Sequence, residues 1–190
     1  MAVLCTAVSC PAFATEAHTE APVDTASVIN LRNVEIVANR ADANTPVAFS
    51  SLTAAEIAKV NDGRDIPFLL EALPSVIVTG DAGGGIGYSG IRVRGSDASR
   101  INITANGIPI NDSESSNVYW VNMPDLASSL RDIQVQRGAG TSTNGAGAFG
   151  ATVNMISDAP SIDPSALISA SYGSYNPNKQ TVKVSSRQFR

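Results

Sequence analysis

The six residues Gly145-Ala-Gly-Ala-Phe-Gly150 carry the G-x-G-x-x-G spacing with which a strand-to-helix turn can hold a pyrophosphate. That chemistry needs more than glycines. A strand must feed the loop, a helix must leave it with N–H groups aimed at the phosphates, and an acid about 20 positions on must hold the ribose. Here Ala151-Thr-Val-Asn-Met-Ile-Ser157 follows, which is β-prone and is broken by Asp158-Ala-Pro160. The only acids beyond Gly150 are Asp158 and Asp163, and no Gly-Lys-Ser/Thr occurs in the chain, which also excludes a P-loop. The glycines suit a structural role instead. They can reverse the chain between strands expected at 132–136 and 152–157, and admit backbone where a Cβ would clash.

Other reactive side chains are scarce. The single histidine, His18, and both cysteines, Cys5 and Cys10, lie near the N-terminus. Histidine-based triads and multi-histidine or thiolate metal sites are thereby removed from the remainder. We expect no cofactor, no metal and no enzyme activity. The net charge of −4 argues against wholesale nucleic-acid binding and leaves room for no more than a small local basic cluster.

The first fourteen residues, MAVLCTAVSCPAFA, hold no charge and end in Ala-Phe-Ala, the small-x-small pattern of a signal-peptidase site. At about 20 residues per helical span the run is too short to cross a bilayer. No Lys or Arg precedes it; an apolar strand and lipidation at Cys10 are the alternatives. We expect a signal peptide over 1–14 and cleavage after Ala14, leaving a mature chain without cysteine. Residues 15–45 then read as a flexible polar arm interrupted by Val34-Glu-Ile-Val-Ala38.

A compact region follows, over 46–160. Thr53 and Glu56 have capping-box spacing, with Ile57 and Val60 on one apolar face and Gly63 closing the helix. Asp65 suits an N-cap for a second short helix that Pro74 ends, and SVIVTG reads as a strand. DAGGGIGYSG is a long flexible loop; IRVRG and RINITANGIPI alternate as strands, and Asn106-Gly107 is a tight-turn signal. The polar loop NDSESSNVYWVNM carries the only tryptophan, Trp120, and a short helix capped by Asp125 leads into the strand at 132–136. From Ser165, two alternating runs flank a Gly/Asn/Pro turn with Tyr172 and Tyr175 beside it, the texture of outer-membrane barrel strands or of a soluble edge hairpin. The expected fold class is α+β: a small mixed β-sheet with short helices and long loops, followed over 161–190 by the first one or two strands of a β-barrel.

The order of IRVRG, NGIPI and LRDIQVQRGAGTSTNGAGAFGATVNMIS, preceded by LTAAEIAKV and DIPFLLEALPSVIV, resembles the plug domain of TonB-dependent outer-membrane receptors over about residues 45–158. Asn106 stands where these receptors commonly have Asp, Asn144 where Tyr is frequent, and Ala151 where Gly is frequent. Their barrels close with about 22 strands, whereas this chain offers one or two, so a partial or truncated chain is expected.

The resemblance implies a periplasmic partner, TonB with its inner-membrane energising complex, reached by a short strand-forming segment. NVEIVANR at 33–40 resembles that segment, giving Val34, Glu35, Ile36, Val37 and Ala38 as TonB contacts; a strand of the plug's own sheet is the alternative. It also implies that Arg94 and Arg137 dock against acidic groups of a barrel, unless they are solvated surface residues. Ligand-contact candidates are Asp81, Tyr88, Asp112, Glu114, Tyr119 and Trp120, with a core position as the alternative for Trp120. The structural turns are assigned to Asn106, Gly107, Gly138, Gly145, Gly147 and Gly150. The implied ligand is a small molecule or oligosaccharide (siderophore-iron, cobalamin, haem or glycan), and the implied location is the outer membrane of a Gram-negative bacterium. A stand-alone exported binding module without a pore is the competing reading.

Overall fold

The computed structural model describes residues 40–42, 44–140, 147–159, 164–173 and 178–186. The signal-like segment, Cys5, Cys10, His18, the strand-prone segment Val34–Ala38, Gly145 and Tyr175 lie outside the described residues.

A five-stranded mixed sheet in the order β1-β6-β7-β4-β5 forms the centre. It is built from β1 (Ala48–Thr53), β4 (Ile101–Ala105), β5 (Ile108–Pro109), β6 (Leu130–Arg137) and β7 (Ala151–Ser157). β7 pairs antiparallel with β6 and parallel with β4, so it locks together segments distant in sequence. β2 (Val76–Gly80) and β3 (Ser89–Val93) form a separate antiparallel pair, as do β8 (Ser165–Tyr172) and β9 (Asn178–Ser185). The mixed sheet with few short helices is the expected class.

Strand alternation explains the layering. Ile133 and Val135 of β6, Val153 and Met155 of β7, and Ile101 and Ile103 of β4 share one face and are almost wholly buried. They pack with Leu69, Leu70, Ile91 and Trp120 in a single core cluster. The opposite face carries Gln134, Gln136, Thr152, Asn154, Asn102 and Thr104. These polar side chains are buried too, although apolar-polar alternation ordinarily reads as one wet face. Hydrogen bonds offset that burial: Thr104 Oγ1 donates to Asn154 Oδ1 at 2.7 Å, and Gln136 Nε2 to Gln134 Oε1 at 2.9 Å.

The helices are shorter than their sequence signals imply. α1 (Ala54–Val60) begins where expected: the Glu56 carboxylate accepts from the Thr53 N–H and from Thr53 Oγ1, both at 2.8 Å. Of its expected apolar face only Ile57 is buried; Val60 is exposed, because one turn of a seven-residue helix meets the sheet. α2 is a single turn (Ile66–Leu69), and Asp65 makes no side-chain cap hydrogen bond. The helix expected after Asp125 is a 3₁₀ turn over Leu126–Ser129, with Asp125 in the left-handed region at φ 52°. β1 has little sequence signal of its own: Ala-Phe-Ser-Ser-Leu-Thr is weakly β-prone and becomes a strand by pairing with β6.

Candidate functional site

The two loops singled out by the sequence are brought together, each tied to neighbouring elements by side-chain hydrogen bonds. DAGGGIGYSG is less free than it reads, because it joins β2 to β3 as a hairpin, with the Asp81 N–H donating to the Tyr88 carbonyl at 3.1 Å. Asp65 stands at the N-cap of α2 as expected, but its buried carboxylate turns elsewhere, accepting from the Gly87 N–H at 3.1 Å and from Ser89 Oγ at 2.6 Å. Its own N–H donates to the Gly85 carbonyl at 2.9 Å. One carboxylate therefore ties the glycine loop to the start of α2.

Asn111 does the same for the second loop. Its Oδ1 accepts from the Ile103 N–H at 2.8 Å, while Nδ2 donates to the carbonyls of Ile101 (2.9 Å) and Ser116 (2.8 Å). The amide thus extends the β4 ladder by one side chain and fixes where the loop leaves the sheet. Sequence reasoning assigned no role to Asp65 in the loop or to Asn111; a lone Asp or Asn in a polar run carries no signal of a distant partner.

Between the loops lies a cleft of about 270 Å³. Asp81, Tyr88, Tyr119 and Trp120 line it, with Asn117 and Thr79 supplying further polar groups and Ile91 and Ile103 apolar surface. Tyr88 and Tyr119 are exposed, at 66% and 44%. Trp120 takes the core position, one of the two places the sequence left open for it, and still lines the cleft. At 3% exposure it belongs to the core, since the 3₁₀ turn Trp120–Asn122 directs the indole inward. It bounds the cleft from beneath.

Asp112 and Glu114 are not among the lining residues. The Asp112 carboxylate is occupied within its own loop, accepting from the Ser115 N–H (2.8 Å), Ser115 Oγ (2.9 Å) and the Glu114 N–H (3.2 Å). The Ser115 donors hold its pKa below the ordinary carboxylate value, with its N–H contributing most. Ser115 Oγ also accepts from the Tyr119 hydroxyl at 3.3 Å, which links this turn to the cleft wall.

Arg94 and Arg137 fall on one side of the molecule. Arg137 Nε donates to the Pro74 carbonyl at 3.0 Å and its Nη2 to Ser50 Oγ, so its side chain braces β1 and the turn before β2. Arg94 is exposed, with left-handed backbone at φ 51°, and its N–H donates to the Ser75 carbonyl at 2.9 Å. Its guanidinium lies beside Gly138.

The turn residues behave differently from one another. Asn106 and Gly107 take φ 51° and 81° between the antiparallel strands β4 and β5. Gly138, at φ 103°, follows β6 and donates its N–H to the Gly150 carbonyl at 2.9 Å. Gly150 is a point of close approach, where a Cβ would stand 2.3 Å from Ser96 Cβ. Gly147 faces open space. β7, not a helix, follows Gly150. Among the described residues no group of three His, Cys, Asp or Glu could hold a metal ion.

Residues 41–152 match the model of the TonB-dependent receptor plug domain. The chain belongs to that family. Among solved structures, the plug and its flanks resemble P. aeruginosa FpvA bound to a heterologous iron-loaded pyoverdine, with a TM-score of 0.60 and 21% identity over 74% of this chain and 18% of that one. They also resemble the ferric yersiniabactin uptake receptor FyuA from Yersinia pestis, with a TM-score of 0.55 and 16% identity over 73% of this chain and 21% of that one. The copper transporter OprC gives a TM-score of 0.57 and 18% identity over 72% of this chain and 21% of that one. At these identities the likeness is one of fold. The chain spans about a fifth of the length of these structures.

Proposed function

We propose that this chain is the gating portion of a TonB-dependent outer-membrane transporter that takes up a scarce ligand with energy relayed by TonB. The plug occupies 46–160, and 161–190 begins the barrel. One observation carries this reading over a pore-free soluble module. The β8–β9 hairpin turns its polar side towards the plug and its apolar side away. Lys179, Thr181 and Lys183 alternate as the half-buried positions of β9, and the two lysines pair with Asp125 and Asp158, both at 2.7 Å. Ile168, Tyr172, Val182 and Val184 are exposed at 66–77% and share the other face, with Ile168 opposite Val182. A soluble edge hairpin buries its apolar face; a barrel strand presents that face to lipid.

In this reading Arg94 and Arg137 dock the plug against barrel carboxylates, and Val34–Ala38 add as a strand to TonB. Ligand meets the cleft between the glycine loop and the Tyr119 loop. Asp81 is the one charged group among its described lining residues, beside two exposed phenol rings. Such a lining suits a neutral or cationic ring-bearing ligand, a glycan among them. The chain performs no covalent step: ligand binding biases the plug, and force through TonB moves it aside.

The test is binding of the periplasmic domain of TonB to the full chain. Binding is expected to be abolished by Ile36→Pro, which removes a backbone donor from the added strand. Binding unaffected by Ile36→Pro and by deletion of 33–40 would overturn the assignment.

A further inference from the structure

On the buried polar face of the sheet, Gln134 uses its bonding capacity in full. Gln134 is 1% exposed. Its Oε1 accepts from the Ala41 N–H at 2.8 Å and from Gln136 Nε2 at 2.9 Å. Its Nε2 donates to the Ala41 carbonyl at 2.9 Å and to Ser51 Oγ at 3.2 Å. A primary amide offers two acceptor positions and two donors, and all four are engaged. The pair of bonds to Ala41 is the two-point pattern by which one strand residue holds another, here made by a side chain. Ala41 is 5% exposed, so neither bond is readily exchanged for water. Beside it, Arg40 Nη2 lies 2.6 Å from Asp132 Oδ1, two residues along the same strand.

We propose that Gln134 is the positioning residue that anchors the root of the N-terminal arm to the plug sheet, with the Arg40–Asp132 pair as its outer fastening. The proposal rests on the reading above that the segment at 33–40 engages TonB. Tension on that segment reaches Arg40 and Ala41 before any strand of the sheet. β6, which holds both partners, lies inside the sheet between β1 and β7, so the anchor is mounted on a strand that is itself held on both sides. Release of this contact is then a step separate from, and earlier than, disruption of the sheet.

Hydrogen-deuterium exchange on the full chain tests this. Gln134→Met keeps the side chain's length and apolar packing but removes every bond. Gln134→Glu keeps an acceptor for the Ala41 N–H but sets a carboxylate oxygen against the Ala41 carbonyl. Both are expected to raise exchange at the Ala41 amide about tenfold while amides of β4 and β7 keep their protection. The Glu variant is expected to return towards wild type, compared at equal pH, once acid protonates the new carboxyl and restores the donor. Unchanged exchange at Ala41 would overturn the proposal, and so would an equal rise throughout the sheet, which would mean general loosening. Binding of the periplasmic domain of TonB is read in parallel. If no form binds while exchange at Ala41 still follows residue 134, the functional assignment falls and the anchor stands.

Discussion

The central sheet and the β8–β9 hairpin are both made of strands that alternate apolar and polar residues, yet they use the alternation in opposite ways. In the sheet, Gln-Val-Gln and Thr-Val-Asn bury both sides, with hydrogen bonds joining Gln134 to Gln136 and Asn154 to Thr104 on the polar one. In the hairpin, every residue of β8 is exposed, and the polar side of β9 faces the protein. A period of two therefore tells which residues share a face but not what that face meets. The surroundings decide: the polar face of the sheet is covered by other parts of the same chain, Ala41 among them, whereas the described residues leave the valines of β9 uncovered.

That contrast predicts an ordered set of perturbations. Ile133→Ala, in the apolar layer of the sheet, is expected to cost about 2–5 kcal/mol in urea unfolding of the chain, whereas Ile168→Ala in the hairpin should stay within about 0.5 kcal/mol. Equal effects would mean that the hairpin is packed as part of the core.

A smaller difference is expected between two glycines three positions apart. Gly150→Ala places a methyl against Ser96 Cβ and within 3.2 Å of the Arg100 carbonyl, and should cost about 1–3 kcal/mol. Gly147→Ala enters open space and should change stability by no more than about 0.5 kcal/mol. Denaturant midpoints of the two variants read the difference directly.

The attachment of the hairpin to the plug should depend on acid. Burial raises the Asp125 pKa, but the Lys179 ammonium and the Ser128 and Asn61 donors outweigh it and leave it below the usual 3.8. A depressed carboxylate contributes stability that is complete above its unfolded value and is lost as the pH falls through the lower folded one. Proteolytic cleavage of β9 should therefore accelerate below about pH 4 in the wild type. In Asp125→Asn it should be faster at neutral pH already, by the about 0.2–1 kcal/mol of a half-exposed pair. The smallest effect on stability is expected for Tyr88→Ala and Tyr119→Ala, within about 0.5 kcal/mol. These two should instead weaken ligand uptake, measured in cells carrying the complete receptor.

Much of this architecture was legible because local chemistry and tertiary need agree. Asn106-Gly107 tolerates the positive φ that a tight turn needs, and the β-prone run after Gly150, cut off by Pro160, leaves no room for a helix of useful length. The Thr53–Glu56 pair marked its helix start for the same reason. What escaped were features created by distant partners. Asp65 holds the N-cap position that the sequence marks, but nothing local foretells that the glycine loop claims its carboxylate. For Trp120, set among polar neighbours, the sequence left exposed and core positions both open, and the turn at Trp120–Asn122 decides for the core. The cleft was half legible: Asp81, Tyr88 and Tyr119 were found by type, but Asp112 and Glu114 were chosen by proximity in sequence and belong to a turn that holds itself together.

The mixed pairing of β7 has a consequence for the chain as it is made. β4 must wait for a partner about 50 residues downstream, and Ser50 of β1 meets Arg137 of β6 across 87 residues. A polypeptide that emerges N-terminus first therefore carries unsatisfied strand edges until β6 and β7 are out. Ser50 and Ser51 in β1, and Asn102 and Thr104 in β4, make those edges less apolar in the interval. The polar layer that later fastens the folded plug thus protects it, earlier, from its own neighbours.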